Sequence, residues 1–356
     1  MNGLTPEREV QFLVDLQRLL SEGQFTATYK YALLMALADL SVECGEDSDL
    51  ELEISSRQLA DKFVRYYWRQ CAPYPVAGLA EMDESVFRQN SDRQAAIINL
   101  VRRARADHQG SLSNAMQDSQ AWGRLLSRVG GVVRDMPLWR LQTVGGEQLE
   151  FLYQNVGRGG RITLKPGVAA CFRKFHGLVT ELVHGAWARY IRRFNPGMLG
   201  DVTDLREFLF GGSRNTLSAA APILREAQEG RCFYCRAGLA AGDVDVDHFI
   251  PWSRYPVDLG HNFVATHSRC NNRKSDRLAA QTHLDRWVGS LESHGDDLAT
   301  ALGGQGILSD VSSSLRIARW AYRQTYDADG LTWLKNDELL PLDEGWNASL
   351  DRLLRQ

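Results

Sequence analysis

Between Gly230 and Asp285 the chain reads Cys232-Phe233-Tyr234-Cys235, then Asp243-Val244-Asp245-Val246-Asp247-His248-Phe249-Ile250-Pro251-Trp252, then His261-Asn262-Phe263 and His267-Ser268-Arg269-Cys270-Asn271-Asn272-Arg273-Lys274-Ser275. Cys-x2-Cys presents two thiolates from one tight turn, and His267-x2-Cys270 presents an imidazole and a thiolate in the same way. Together Cys232, Cys235, His267 and Cys270 form the closed four-ligand tetrahedral set of a structural zinc. In a chain that opens without an export signal, such a cluster reads as metal before it reads as disulfide. Between the two pairs, Asp243 to Asp247 alternates with Val244 and Val246 on the opposite face, which is a strand pattern. The strand ends in Asp247-His248 and is stopped at Pro251. Neighbours in a regular strand point to opposite faces, so these two side chains share a site only where the strand twists or ends. After Cys270 the chain turns polar and helix-compatible, with Asn271, Lys274 and Ser275 on one face by the i, i+3, i+4 rule.

A strand pair followed by a helix, pinned at its base by zinc, brings Asp247, His248 and Asn271 together. One oxygen from Asp and one from Asn suit a hard cation such as Mg²⁺ or Mn²⁺, which keeps several waters and binds substrate phosphate. A neutral His beside it can take a proton from water. The plainer reading is a zinc ribbon in which Asp247 and His248 form only a surface pair.

The stretch resembles the HNH, or ββα-metal (His-Me finger), endonuclease module in its zinc-stapled form. The motifs Cys-x2-Cys, Asp-His-x2-Pro, a central Asn and His-x2-Cys-Asn-x2-Lys occur in order, over about 55 of 356 residues. The resemblance implies that Asp247 and Asn271 hold the catalytic divalent metal and that His248 is the general base. It implies that Asn262 orients the His248 ring, and that Cys232, Cys235, His267 and Cys270 bind Zn²⁺. Two positions depart from the family pattern: His267 stands where Cys is frequent, and Asn271 where His is frequent, a variant that shifts preference toward Mg²⁺. Lys274 or Arg273 is expected to hold a neighbouring phosphate. The expected activity is hydrolysis of phosphodiester bonds in DNA, leaving 5′-phosphate and 3′-hydroxyl ends. One site cuts one strand, so a monomer nicks and a double-strand break needs two sites or a dimer. Gln228-x-Gly230-x-Cys232-Phe-Tyr-Cys235, with Trp287 after the module, also resembles bacterial stand-alone HNH proteins linked to restriction or anti-phage defence. Two other readings are a nuclease held inactive until a partner protein of a defence system binds, and a non-catalytic zinc-built nucleic-acid adaptor.

Outward from this module the chain is mainly helical by pattern. Thr5-Pro6-Glu7 is a helix start, and Ser55-Ser56-Arg57-Gln58 is a capping box before Leu59 and Phe63. Helices are expected at about Ser113–Arg128 and from Pro166 to about Arg193. Another is expected over about Arg214–Gln228, kinked or broken at Pro222. Arg161–Lys165 and Leu149–Tyr153 fit a small sheet or hairpin. The expected fold is therefore mainly α with a small α+β module. Its divisions are a helical N-terminal domain over 1–134 that senses or binds DNA, a mixed linker domain over 135–227, the HNH module over 228–290 and a helical extension over 291–356.

The 356 residues are 44% hydrophobic and 24% charged, which excludes collagen, long disorder and low-complexity scaffolds. No apolar run reaches the roughly 20 residues of a membrane span, and the N-terminus lacks a signal peptide, so a cytoplasmic protein is expected. With 41 basic and 44 acidic side chains, attraction to phosphate must come from local clusters or a bound cation. Three basic-aromatic clusters exist: Arg65-Tyr66-Tyr67-Trp68-Arg69, Arg102-Arg103-Ala104-Arg105, and Trp187 with Arg189, Arg192 and Arg193. Each taken alone reads as a solvated helix face with its aromatics turned inward. Cys44, Cys71 and Cys171 read as small buried hydrophobes.

Overall fold

The computed structural model describes residues 4–46, 48–74, 86–91, 94–154, 159–196, 205–211 and 214–355. It divides into two compact units, Met1–Gly211 and Gly212–Gln356. The fold is mainly helical, and the strands of the described residues form four two-stranded antiparallel sheets. Among these residues no helix is long and apolar enough to cross a membrane.

The first unit is built around the helix Tyr29–Cys44. Its leucines and alanines leave no polar face, so it is buried all round, with Leu33, Leu34, Ala36 and Leu37 at zero exposure. A single core runs from Phe12 to Leu209, so the described residues of 135–211 pack into the same unit as those of 1–134. The Ser55 capping box forms as read: the Ser55 hydroxyl accepts from Gln58 N–H at 3.2 Å, and the Gln58 side chain accepts from Ser55 N–H at 2.9 Å. Two expected helices are each two in the structure. Asp118 ends Leu112–Gln117 and caps Ser119–Asp135 by accepting from Ala121 N–H at 2.9 Å. The chain also breaks at Phe175, between Val168–Lys174 and His176–Phe194. The strand Arg161–Leu164 pairs with Leu52–Ser55 rather than with Leu149–Tyr153, where Tyr153 makes only an isolated bridge to Leu164.

Two of the basic-aromatic clusters are tied into this framework. Tyr67 and Trp68 are buried, Arg65 pairs with Asp61 at 2.6 Å, and Arg69 donates to the carbonyls of Phe208 at 2.7 Å and Glu207 at 3.0 Å. Trp187 is buried and donates to Gln89 Oε1 at 3.2 Å, leaving Arg189, Arg192 and Arg193 exposed. Burial pushes the thiol of Cys71 up to about 12 and that of Cys171 up to about 11, so both are inert at neutral pH.

His184 gives this unit an acid sensitivity. Its ring stacks on Phe210 with centroids 3.8 Å apart, and burial pulls its pKa down to about 4, against smaller opposing pulls from Asp39 and Glu181. The folded state therefore disfavours the protonated ring. The stability it contributes is full above the unfolded value near 6.5 and is lost as pH falls toward 4, on the order of 2–3 kcal/mol. The urea midpoint is expected to fall over that window, and His184→Phe, which keeps the stack, should flatten the slope. An unchanged slope would remove His184 from the account.

The second unit centres on the antiparallel pair Asp245–His248 and Phe263–Thr266, with Asp247 opposite Val264 and His248 opposite Phe263. The helix Ser268–Lys274 follows directly. Behind the pair, Phe263 and Ala265 pack with Ala220 and Leu224 of the helix Arg214–Ala227 and with Leu302 of Gln281–Gly303. The first of these helices continues through Pro222 rather than breaking there. The lost hydrogen bond costs stability, but Ala220 and Leu224 on either side are held in the core. The helix Gln281–Gly303 runs unbroken across residue 290, and a hairpin of Thr332–Lys335 and Glu338–Leu340 lies within the last stretch. Trp287 stacks on Phe249 with centroids 4.8 Å apart and donates to the His261 carbonyl at 2.9 Å, supporting the loop after His248 from beneath.

Candidate active site

The turn Cys232–Cys235 is hung on the strand pair by the Phe233 N–H, which donates to the Ala265 carbonyl at 2.9 Å. His267 stands at the start of the Ser268–Lys274 helix and Cys270 in its first turn. This brings the ligand atoms of Cys232, Cys235, His267 and Cys270 within 4.8 Å of one another. A tetrahedron with bonds of about 2.0–2.3 Å has edges of roughly 3.3–3.8 Å. The 3.4 Å between Cys235 Sγ and His267 Nδ1 falls in that range. The other ring nitrogen of His267, Nε2, lies 3.0 Å from the Gly238 carbonyl. A carbonyl only accepts, so Nε2 carries the proton and Nδ1 turns its lone pair to the thiolates, the usual outer support of a metal-bound histidine. The four residues fit zinc.

Asp247 is buried, and two groups hold its Oδ2. Tyr234 O–H donates at 2.5 Å and the Lys274 ammonium lies at 2.9 Å. Lys274 has no exposed surface and donates also to the His248 carbonyl at 3.0 Å. Burial pulls its ammonium below the ordinary lysine range, with Asp247 opposing the shift. Lys274 therefore faces inward, and the phosphate contact expected of it has no surface through which to form. Arg273 is exposed and donates to the Asn336 side chain. Ser275 lies past the end of the helix, with φ of 53°, and is not on the face shared by Asn271 and Lys274. Asp247 Oδ1 and the partly exposed Asn271 amide have no hydrogen-bond partner among the described residues. One carboxylate oxygen and one amide oxygen are hard donors that fit Mg²⁺ or Mn²⁺ with water completing the shell.

His248 is held differently from expectation. Asn262 does not contact its ring. The Asn262 amide instead pairs with the backbone of Ile250, accepting from its N–H at 2.8 Å and donating to its carbonyl at 3.0 Å. The Asn262 carbonyl accepts from Phe249 N–H at 2.7 Å. Asn262 thus fixes the chain that leaves His248 rather than the imidazole. The ring is oriented by Asp258, whose Oδ1 lies 2.9 Å from His248 Nε2. Phe263 and Trp252 meet it edge-on at 5.0 and 5.3 Å. An ionised carboxylate only accepts, so Nε2 is the protonated nitrogen and Nδ1 carries the lone pair. Among the described residues nothing hydrogen-bonds Nδ1. His261 is buried and donates through Nε2 to the Gly295 carbonyl at 2.9 Å, which makes it a structural pin.

Sequence reasoning missed Asp258 and Tyr234. Asp258 sits ten residues past His248 in a loop with no spacing signature. Tyr234 lies between two cysteines of the cluster, where its aromatic character reads as packing. Neither role leaves a periodic signal.

Comparison with known families matches residues 10–205 to a domain of unknown function (DUF8808) and residues 232–280 to the HNH endonuclease family. No curated protein and no solved structure matches the chain. The second match covers the cysteine–histidine cluster, the strand pair and the helix, and the first covers most of the helical unit before it. The chain thus belongs to the family of that domain of unknown function (DUF8808), and it carries an HNH endonuclease domain in its second unit.

Proposed function

We propose that the protein is a divalent-metal-dependent endonuclease that nicks DNA, with His248 as general base, Asp247 and Asn271 as the metal-holding pair and Cys232, Cys235, His267 and Cys270 as the zinc staple. What supports this reading is that Asp247 and His248 end one strand, that the helix carrying Asn271 packs against that strand, and that among the described residues nothing hydrogen-bonds His248 Nδ1, Asp247 Oδ1 or the Asn271 amide. A divalent cation bound by Asp247 and Asn271 would supply neutralisation of charge on the scissile phosphate. His248 Nδ1 takes a proton from a water as the water oxygen forms its bond to phosphorus. The bond from phosphorus to the 3′ oxygen breaks in line, and that oxygen leaves with a proton from solvent. The products are a 5′-phosphate and a 3′-hydroxyl. Asp258 positions the ring and stabilises the imidazolium that forms, as a third group does behind many catalytic histidines. Lys274 and Tyr234 hold Asp247 Oδ2 and aim the carboxylate. Arg269 and Arg273, one turn apart on the exposed face of the helix, supply cationic contact to neighbouring phosphates. A role in bacterial restriction or anti-phage defence, and activation by a partner protein, are compatible with this chemistry.

The test is supercoiled plasmid incubated with the protein in Mg²⁺. The expected product is open circle whose nicks a DNA ligase seals without prior end repair. Asp258→Asn should slow nicking about 10–100-fold at unchanged zinc content, because the amide can present its N–H to Nε2 and favour the wrong tautomer. Nicks that cannot be sealed would overturn the assigned bond cleavage, and wild-type rates in Asp258→Asn would remove Asp258 from the site.

A further inference from the structure

The hairpin of Thr332–Lys335 and Glu338–Leu340 lies beyond residue 280, where the match to the endonuclease family ends, yet it is tied to the residues that surround Asp247. Its first strand packs against the helix Ser268–Lys274. Trp333 anchors it: the Trp333 N–H donates to the Leu278 carbonyl at 2.8 Å, and its carbonyl accepts from Ala280 N–H at 2.7 Å. The Trp333 side chain is buried, with its ring edge-on to Tyr234 at 5.2 Å, the residue whose hydroxyl holds Asp247. The His283 ring stacks against it with centroids 5.9 Å apart and donates through Nε2 to the Leu334 carbonyl at 2.8 Å. The hairpin is therefore fixed from its base.

The tip is fixed as well. Lys335 pairs with Glu338 across the hairpin, so the turn consists of Asn336 and Asp337. Asn336 has φ of 48°, in the left-handed region that asparagine tolerates better than most residues. The Trp333 indole N–H donates to the Asn336 carbonyl at 2.8 Å, which holds the turn from its buried side. The Asn336 side-chain oxygen in turn accepts from the Arg273 guanidinium on the helix. Arg273 is exposed and makes no ion pair among the described residues, not even with Asp337, the next residue of the turn. Arg319, Arg323 and Arg352, also exposed in this unit, lie against the carboxylates of Asp351, Asp327 and Glu292. Arg273 is instead held by a neutral group.

We propose that this hairpin is a working part of the DNA-binding surface, and that Asn336 is a positioning residue that holds the Arg273 guanidinium ready for a phosphate of the DNA backbone. The proposal rests on the reading of Arg273 as a phosphate contact. An arginine on an exposed helix face samples many rotamers, and fixing it on a phosphate costs entropy. Asn336 holds one of its N–H groups in advance, so part of that cost is already incurred on folding. A carboxylate at position 336 would fix the side chain too, but it would cancel the charge that attracts a phosphate. An amide oxygen occupies one N–H and leaves the full charge and the remaining donors of the fork. Because Trp333 ties down the turn, the hold comes from a fixed point of the fold.

The test is fluorescence anisotropy of a labelled DNA duplex titrated with the zinc-loaded, full-length chain in Mg²⁺, in the His248→Ala background so that binding is read apart from cleavage. Asn336→Gly, which accepts the left-handed turn, should weaken binding about three-fold. It should leave the salt dependence unchanged, since no charge is lost. Arg273→Ala should weaken binding about ten-fold and lower the slope of log affinity against log salt by about one. In the Arg273→Ala background, Asn336→Gly should change nothing further, because its effect runs through the guanidinium. Asn336→Asp, which also suits the turn, should bind at least as weakly as Arg273→Ala, since its carboxylate takes the charge. With His248 intact, Asn336→Gly should raise KM for plasmid nicking about three-fold at unchanged kcat. Equal thermal midpoints would show that the variants fold. Wild-type affinity in Asn336→Gly, or an equal loss with and without Arg273, would overturn the proposal and leave the nuclease in place. The expected binding pattern in a chain that never nicks would overturn the nuclease and leave the proposal. No duplex binding at about 100 μM protein would overturn both.

Discussion

Removing zinc is expected to collapse the strand pair and helix of the endonuclease domain. Native protein should carry about one zinc per chain by mass spectrometry. A strong chelator at neutral pH, or Cys270→Ser, should take the metal away and unfold this region. The strand pair has four residues on each strand, and the helix that follows has seven. Elements of that size cannot bury enough apolar surface to be stable alone. Zinc would add to the small core behind the strand pair by joining the turn before the first strand to the start of the helix after the second. In small zinc-built folds the metal contributes on the order of 10 kcal/mol. Removing one thiolate forfeits much of that and leaves the others as mutually repelling sulfurs. His267 adds a second test, since its Nε2 donates to the Gly238 carbonyl. His267→Cys should retain zinc because a thiolate can close the tetrahedron, whereas His267→Ala should lose it. Zinc-free protein with an unchanged thermal midpoint would contradict this part of the account.

The second large effect is expected from Lys274→Met. Met fills the volume of the lysine stem, so the change removes mainly the ammonium. The Asp247 carboxylate then keeps its burial and the Tyr234 hydrogen bond but loses its counter-charge at 2.9 Å. Breaking one side of a buried pair costs about 3–5 kcal/mol, because a charge is left without compensation. For a unit of 145 residues, from Gly212 to Gln356, that is a fall in thermal midpoint on the order of 10 °C. Asp247→Asn together with Lys274→Met removes both charges and should recover most of the stability, with cleavage still absent for want of the carboxylate. A neutral effect of Lys274→Met alone would mean that the ammonium does not hold Asp247. Tyr234→Phe should cost less, about 1–2 kcal/mol, since one hydrogen bond to the same oxygen is lost and the ion pair remains.

The endonuclease domain was readable because its determinants are local. Two ligand pairs at x2 spacing, an alternating strand that ends in Asp247-His248, and an Asn one residue after Cys270 each constrain the backbone within a few residues. Ser55 with Gln58 was readable for the same reason. What escaped depends on residues distant in sequence or on which way a side chain turns. Leu52–Ser55 finds its partner strand at Arg161–Leu164, more than a hundred residues on, and no local pattern names that pairing. Asp118 and Phe175 interrupt helices whose apolar periodicity continues on both sides, so the break shows in the cap rather than in the hydrophobic pattern. Lys274 stands at a position that sequence alone assigns to solvent and phosphate. Burial beside Asp247 gives it the opposite duty. Asn262 was expected to orient the His248 ring, but its amide holds the Ile250 backbone while Asp258 holds the ring.

The central claim is that His248 activates water for cleavage of DNA. It is tested most directly by supercoiled plasmid with zinc-loaded wild-type protein and zinc-loaded His248→Ala, each in Mg²⁺ and in EDTA. The account predicts conversion to open circle by the wild type in Mg²⁺ only, with a loss of roughly 10²–10⁴-fold in His248→Ala, the usual weight of a general base. Nicking by His248→Ala at the wild-type rate would contradict it.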